Sequence, residues 1–166
     1  MNIFAKWGFT SASWRGQKGE YWVALQAGII FGFIFLPPVE VNFHPAARYA
    51  VWMVAGLLGF AGLLLTLKAL LDLKTNLTPL PYPVEDGQLV QTGVYRWVRH
   101  PIYFGLILLA ASWAIWQLSL SHLVGVAVIF AFCNAKASRE ETWLQEKYPD
   151  YENYRQKVKK LIPWFY

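Results

Sequence analysis

The sequence predicts an all-α integral membrane protein with about four transmembrane helices, the last two forming a tight hairpin. Three observations predict it. Of 166 residues, 56% are hydrophobic and only 15% charged, where a soluble domain carries about a quarter charged. Charge-free runs extend over Tyr21–Val39 (19 residues), Tyr49–Leu67 (19) and His100–Ala135 (36), and about 20 helical residues cross a hydrocarbon core about 30 Å thick. With the N-terminus inside, fourteen of the fifteen Lys and Arg fall inside and only Arg48 outside. This is the positive-inside pattern, so both termini are expected on the cytoplasmic side. The net charge of +5 then reflects topology and contact with anionic membrane lipid, not a nucleic-acid surface.

The length is that of one domain. Residues 1–19 mix Ile3, Phe4, Trp7, Phe9 and Trp14 with Lys6, Arg15 and Lys18, the composition of a segment lying on the membrane surface. The first apolar run starts late and no small-residue cleavage site follows it, so no cleavable signal peptide is expected. Two N-terminal transmembrane helices occupy residues 20–71. The first runs from about Glu20 to Leu36 and is stopped by Pro37-Pro38, because proline lacks the N–H and clashes with the preceding turn. A short outside loop holds Glu40 and His44, an isolated histidine given no role. The second runs from about Pro45 to Leu71 and carries Ala55, Gly56, Gly59 and Gly62, small residues that let helix backbones approach closely in lipid. No GxGxxG follows a strand and four passes leave no room for a Rossmann domain, so a nucleotide-like cofactor must be held by the helices and inside loops themselves.

Residues 72–99 form the longest connection. Pro79, Pro81 and Pro83 fix an extended course, Asp86-Gly87 and Thr92-Gly93 are turn signals, and the apolar and aromatic content of Leu89–Val98 argues for order. The third charge-free run is too long for one pass; it is split at Gln117–His122, a polar break after Trp113 and Trp116, which suit the membrane interface. The resulting hairpin spans residues 100–148. Its second helix continues past the apolar phase to expose Arg139, Glu140, Glu141 and Glu146, and Pro149 ends it. Residues 149–166 read as an amphipathic segment returning to the membrane surface. Cys133, the single cysteine, is expected to be a buried, inert thiol.

Two informative segments, residues 89–105 and 136–148, thus meet on the inside face. Proline suits the first helical position and disfavours helix in the residue before it, so a helix should begin at Pro101 with Arg99-His100 just outside its positive end. Such an end suits anionic or polar ligand groups; the alternative is that these charges only flank the membrane. Adjacent helical residues point about 100° apart, so of Glu140 and Glu141 only one can face a ligand. Glu140 shares a face with Lys136 and Leu144 and is expected to be the inward one, the alternative being exposed helix-end charges.

The run Leu89-Val90, Gly93-Val94-Tyr95 and Val98-Arg99-His100-Pro101-Ile102-Tyr103-Phe104-Gly105 is followed by Glu140-Glu141-Thr142-Trp143-Leu144 and Tyr148-Pro149-Asp150-Tyr151-Glu152-Asn153-Tyr154. Together they resemble the isoprenylcysteine carboxyl methyltransferase family and the related phospholipid N-methyltransferases, over about residues 76–163. The resemblance implies a methyltransferase using S-adenosylmethionine, with the cofactor enclosed between the Arg-His-Pro segment and the C-terminal helix. It implies that Gln88, Leu89, Val90 and Tyr95 line the cofactor, that His100, Pro101, Ile102 and Tyr103 hold its adenosyl and amino-acid parts, and that Glu140 binds from the other side. Two positions depart from the eukaryotic enzymes: Lys136 stands where they have an arginine assigned to substrate, keeping the charge but not the planar fork, and Gly87-Gln88 stands where they have His-Thr.

No metal is needed for methyl transfer. A carboxylate acceptor is already nucleophilic and needs only a cation such as Lys136 or Arg139 to position it; a thiol or amine must lose a proton, and His100 or Glu140 can serve as base. The residues do not choose between these acceptors, although a site opening sideways to lipid suits a hydrophobic or lipid-linked one. Two other readings remain open at this point: a sterol- or enone-type membrane reductase using NADPH, whose 2′-phosphate would need a cluster of basic residues, and a membrane protein without enzymatic activity.

Overall fold

The computed structural model describes residues 16–42 and 44–166; the expected surface segment over residues 1–19 falls almost wholly outside them. Five α-helices are described: α1 (Glu20–Ile34), α2 (Pro45–Leu73), α3 (Pro101–Trp116), α4 (Leu120–Lys147) and α5 (Tyr151–Lys157). Short 3-10 turns cover Lys74–Asn76 and Gly93–Arg96, and among the described residues no β-strand forms, only two isolated bridges.

Local chemistry sets the helix ends. Pro101 opens α3 with His100 as its N-cap, and Pro45 opens α2, whose cap His44 accepts a hydrogen bond from Ala46 N at 3.4 Å. This is the structural use of a histidine that the sequence left without a role. The break between α3 and α4 falls at Gln117–Ser119, and Ser119 caps α4 through His122 N. Helix α1 ends at Ile34, two residues before Leu36, because the chain leaves it to pair with this turn: Val41 N donates to Leu118 O at 2.8 Å and Leu120 N to Val39 O at 2.9 Å.

Helix α2 with the 3-10 turn that follows it, Pro45–Asn76, and helix α4, Leu120–Lys147, are long and apolar enough to cross a membrane, whereas α1 and α3 are shorter apolar helices. At about 1.5 Å per residue, the 15 and 16 residues of α1 and α3 reach only about 22–24 Å. The protein is a membrane protein by its surface as well. Along α2, Leu57, Phe60 and Leu71 are 62–71% exposed while Ala55 and Ala69 are buried, the inverse of a soluble helix.

Size, not polarity, selects the packed face of α2. Ala55, Gly59, Gly62, Thr66 and Ala69 recur at alternating steps of four and three and form a seam against antiparallel α3. Ser112 Oγ donates to Ala55 O at 2.7 Å, and Trp52 stacks on Trp116, its indole N–H reaching Trp116 O at 3.1 Å. At the tightest point a Cβ on Gly105 would stand 2.1 Å from Thr66 Oγ1 and 2.9 Å from Gly62 O. Gly105→Leu is therefore expected to force the helices apart, lowering stability by about 1–3 kcal/mol or more, seen as a lower melting temperature in detergent. Gly56→Leu, where nothing lies within 4 Å, should leave it unchanged.

Helix α1 packs on α4: Trp22 lies against Phe132, and Phe33 meets the His122 ring edge-on and fills the space beside Gly125. Cys133 is buried and unpaired in this core. The C-terminal segment has one buried face and one exposed face. Tyr151, Tyr154 and Leu161 are buried, and residues after α5 pair with those before α3, Arg99 N donating to Lys159 O at 2.8 Å and His100 N to Lys160 O at 3.1 Å. At the end of the tail Trp164 and Phe165 are 77% and 83% exposed. Residues 149–162 thus close one wall of the region where α3 and α4 diverge.

Candidate active site

Residues 72–100 fold over the ends of α2 and α4. Asp72 Oδ2 accepts from Val94 N at 2.9 Å, and Gly93 (φ +62°) passes so close that a Cβ there would stand 2.0 Å from the same carboxylate; only glycine fits this turn. Asn76 Oδ1 accepts from Gln88 N at 2.8 Å, and the Lys147 ammonium donates to the carbonyls of Val84 and Glu85. Tyr154 OH donates to Tyr95 O at 2.5 Å. Burial raises the pKa of Tyr95, Tyr151 and Tyr154, so all three remain neutral phenols.

Beneath this cover lie two adjoining cavities. The larger, about 460 Å³, is mainly apolar and is bounded by Val23, Gln26, Ala27 and Ile30 of α1, Leu70 and Leu73 of α2, and Pro101, Ile102 and Tyr103 of α3. The smaller, about 100 Å³, is bounded by Gln88, Leu89 and Val90 of the loop, Leu144 and Tyr148 of α4 and its end, and Tyr151 and Tyr154 of α5. Tyr95, Arg99, His100 and Glu140 belong to the walls of both. The larger cavity alone falls within the range of about 300–1,000 Å³ typical of small-molecule sites.

The shared wall is a short polar network. Arg99 Nε donates to Glu141 Oε1 at 2.8 Å, and its Nη1 donates to Arg155 O at 3.0 Å and to Val158 O. His100 Nε2 lies 3.0 Å from the same Glu141 oxygen; a carboxylate paired with a guanidinium only accepts, so Nε2 carries the hydrogen. Nδ1 then faces Glu140 Oε2 at 3.6 Å, and that oxygen accepts from Tyr103 OH at 3.0 Å. The His100 and Tyr103 rings stack, 5.5 Å apart and 12° from parallel. Lys136 is 3% exposed; its ammonium donates to Gln26 Oε1 at 2.5 Å, with Pro79 O at 3.5 Å, and stands 5.4 Å from the Tyr103 ring centre.

The structure brings together Gln88, Leu89, Val90, Tyr95, His100, Pro101, Ile102, Tyr103, Lys136 and Glu140 around the two cavities. Arg139 it does not: this side chain is exposed and lies over Trp143, 4.3 Å from the ring centre, because the α4 turn that sends Lys136 and Glu140 inward sends position 139 outward. Glu141 is no exposed helix-end charge either, but the buried partner of Arg99 and His100. Sequence reasoning passed over Gln26, although an amide in the apolar run Tyr21–Leu36 was a signal, and over Tyr151, whose buried hydroxyl has no hydrogen-bond partner among the described residues.

Residues 51–151, which include α3 and most of this wall, match the phospholipid methyltransferase family. The chain belongs to this family. Over 72 residues it is 39% identical to methanethiol S-methyltransferase 1 of Bradyrhizobium diazoefficiens, covering 43% of this chain and 25% of that protein. It is 35% identical over 85 residues to the protein-S-isoprenylcysteine O-methyltransferase of Schizosaccharomyces pombe, covering 48% and 34%. With the methanethiol S-methyltransferase of Pseudomonas deceptionensis it shares 31% identity over 114 residues, covering 68% and 43%. The matched stretches therefore span between a quarter and under half of these relatives. The resemblance to isoprenylcysteine methyltransferases read from the motifs holds within this family.

Proposed function

We propose that the protein is a multi-pass membrane methyltransferase that transfers the methyl group of S-adenosylmethionine to a hydrophobic or lipid-linked acceptor. The observation that carries this reading is the pair of adjoining cavities, a small one under the loop with apolar and aromatic walls and a larger apolar one bounded by α1, α2 and α3, which share His100 and Glu140. Four passes with cytoplasmic termini complete the picture: α1 exposes Tyr21, Leu25, Phe31 and Ile34, α3 exposes Trp113 and Trp116 toward its end, and the basic residues are distributed to match.

The residues fit the cofactor's chemistry. Leu89, Val90 and the neutral Tyr95 offer an apolar and aromatic wall to the adenosyl part, with Gln88 at its edge. Glu140 offers a carboxylate to a ligand bearing an ammonium and a sulfonium, and His100, Pro101, Ile102 and Tyr103 bound the same space. The Tyr151 hydroxyl, buried at the smaller cavity and without a hydrogen-bond partner among the described residues, suits a ligand oxygen, since buried polar groups are nearly always hydrogen-bonded. When bound, S-adenosylmethionine supplies an electrophilic methyl: the acceptor's lone pair forms the bond to that carbon as the carbon–sulfur bond breaks, its electron pair staying on sulfur to give S-adenosylhomocysteine.

The protein's part is orientation and exclusion of water. Helices α1 and α2 bound the apolar cavity and can admit an acceptor from lipid. His100, its Nε2–H held by Glu141, presents Nδ1 toward Glu140, so a thiol or amine acceptor would find its base there; a carboxylate would need none. Arg139 lies too far out to take part. A reductase reading gains nothing from the same geometry, because the Arg99 guanidinium is engaged with Glu141 and two backbone carbonyls and Arg96 is exposed on another surface.

Calorimetry on the detergent-purified protein tests the reading. S-adenosylmethionine and S-adenosylhomocysteine are expected to bind saturably, and NADPH not at all. A folded protein that binds neither adenosyl compound overturns it.

A further inference from the structure

Helix α1 lies outside residues 51–151 that carry the family match, yet it forms one side of the larger cavity. Val23, Gln26, Ala27 and Ile30 are spaced three, four and seven apart, one stripe of the helix. Three of them are apolar. Gln26 is the exception, and its side chain reaches Lys136 on α4.

Lys136 is buried, and among the described residues no carboxylate oxygen lies within 4.0 Å of its ammonium. A buried charge is costly, and here two neutral oxygens, Gln26 Oε1 and Pro79 O, hold it directly, with the Glu140 carboxylate one turn along α4 acting on it only from beyond 4.0 Å. An ammonium has three hydrogens, so one remains for the cavity. The contact also orients the amide: with Oε1 turned to Lys136, the Gln26 NH₂ is left as a donor. The pair therefore offers an incoming acceptor donors and positive charge, and no acceptor oxygen. An anionic group is stabilised there and a protonated amine repelled.

We propose that Gln26 is a positioning residue that sets acceptor choice: by fixing Lys136 and exposing its own amide N–H groups, it selects acceptors bearing an anion, carboxylate or thiolate, over amines. This rests on the methyl-transfer reading and makes α1 a specificity element of the site.

The test measures S-adenosylhomocysteine affinity and methyl transfer to three probes: methanethiol, an N-acetylated S-prenylcysteine whose only ionisable group is its carboxylate, and phosphatidylethanolamine. The wild-type protein should turn over at least one of the two anion-forming probes, the thiol as the thiolate it becomes in the site or the carboxylate, in preference to the amine, and the two distinguish thiolate from carboxylate. Gln26→Glu gives Lys136 an internal counter-charge, so KM for the preferred anion should rise at least about tenfold, with a smaller change in kcat and the S-adenosylhomocysteine Kd within about twofold. Gln26→Met keeps the length and removes the oxygen, and should raise the same KM severalfold, which holds even where the glutamate variant fails to fold. An unchanged KM in a folded variant, an equal loss of cofactor affinity, preference for phosphatidylethanolamine, or cofactor binding with turnover of neither anion each overturns the proposal while leaving cofactor binding intact as support for the broader reading. Absence of cofactor binding in the folded wild-type protein defeats that broader reading itself.

Discussion

Replacing Glu141 by alanine is expected to lower stability by about 3–5 kcal/mol, the usual consequence of removing one partner of a buried ion pair. The side chains of Glu141 and Arg99 are 9% and 8% exposed, and the same carboxylate oxygen takes the hydrogen bond of His100. Its loss leaves a guanidinium buried without its counter-charge and an imidazole free to turn. Arg99 also donates to the carbonyls of Arg155 and Val158, so the damage reaches α5 and the tail that closes the site. A large drop in melting temperature in detergent is the expected readout. Glu141→Gln, which keeps an acceptor oxygen, should lose less, and the exposed Glu146→Ala should lie within about 0.5 kcal/mol of wild type. Equal melting temperatures for Glu141→Ala and Glu146→Ala would mean that the buried pair does not hold the structure.

The neighbouring carboxylate is expected to behave in the opposite way. Glu140→Gln should leave the melting temperature nearly unchanged, because Glu140 is 27% exposed and the amide oxygen can still accept from Tyr103 OH. Binding of S-adenosylmethionine should weaken roughly ten- to a hundredfold, as expected for losing a charge-assisted hydrogen bond worth about 1.5–3 kcal/mol. Calorimetry of the two variants side by side separates the two expected roles, organising the wall for Glu141 and binding the ligand for Glu140. Unaltered cofactor affinity in Glu140→Gln would remove this residue from the binding site.

Helix breaks were legible because each rests on local chemistry. Pro37-Pro38, Pro101, the polar break read at Gln117–His122 and Pro149 act within one turn of the chain, and the structure places its helix ends beside or within them. The two segments that build the candidate site were legible for a similar reason: ionisable and aromatic residues at the boundary of an apolar run stand out against composition alone. That Lys136 and Glu140 share one side of α4 followed from the helical period.

What the sequence did not determine depends on partners far away in the chain. A helix that is apolar all round has no polarity pattern to reveal its packed face, so the seam of α2 became visible only where Gly62 and Gly105 meet. The same limit hid Glu141, whose burial depends on Arg99 42 positions away, and the tail, whose pairing with residues 98–100 crosses 60 positions or more. Gln26 lies 110 positions from Lys136. Composition and local breakers thus determined a membrane protein, its helices and the two segments of its site; only the tertiary structure decided which charges are buried as partners and which remain for a ligand, because charge pairing in a low-dielectric interior depends on distances between chain-remote groups that no local rule encodes.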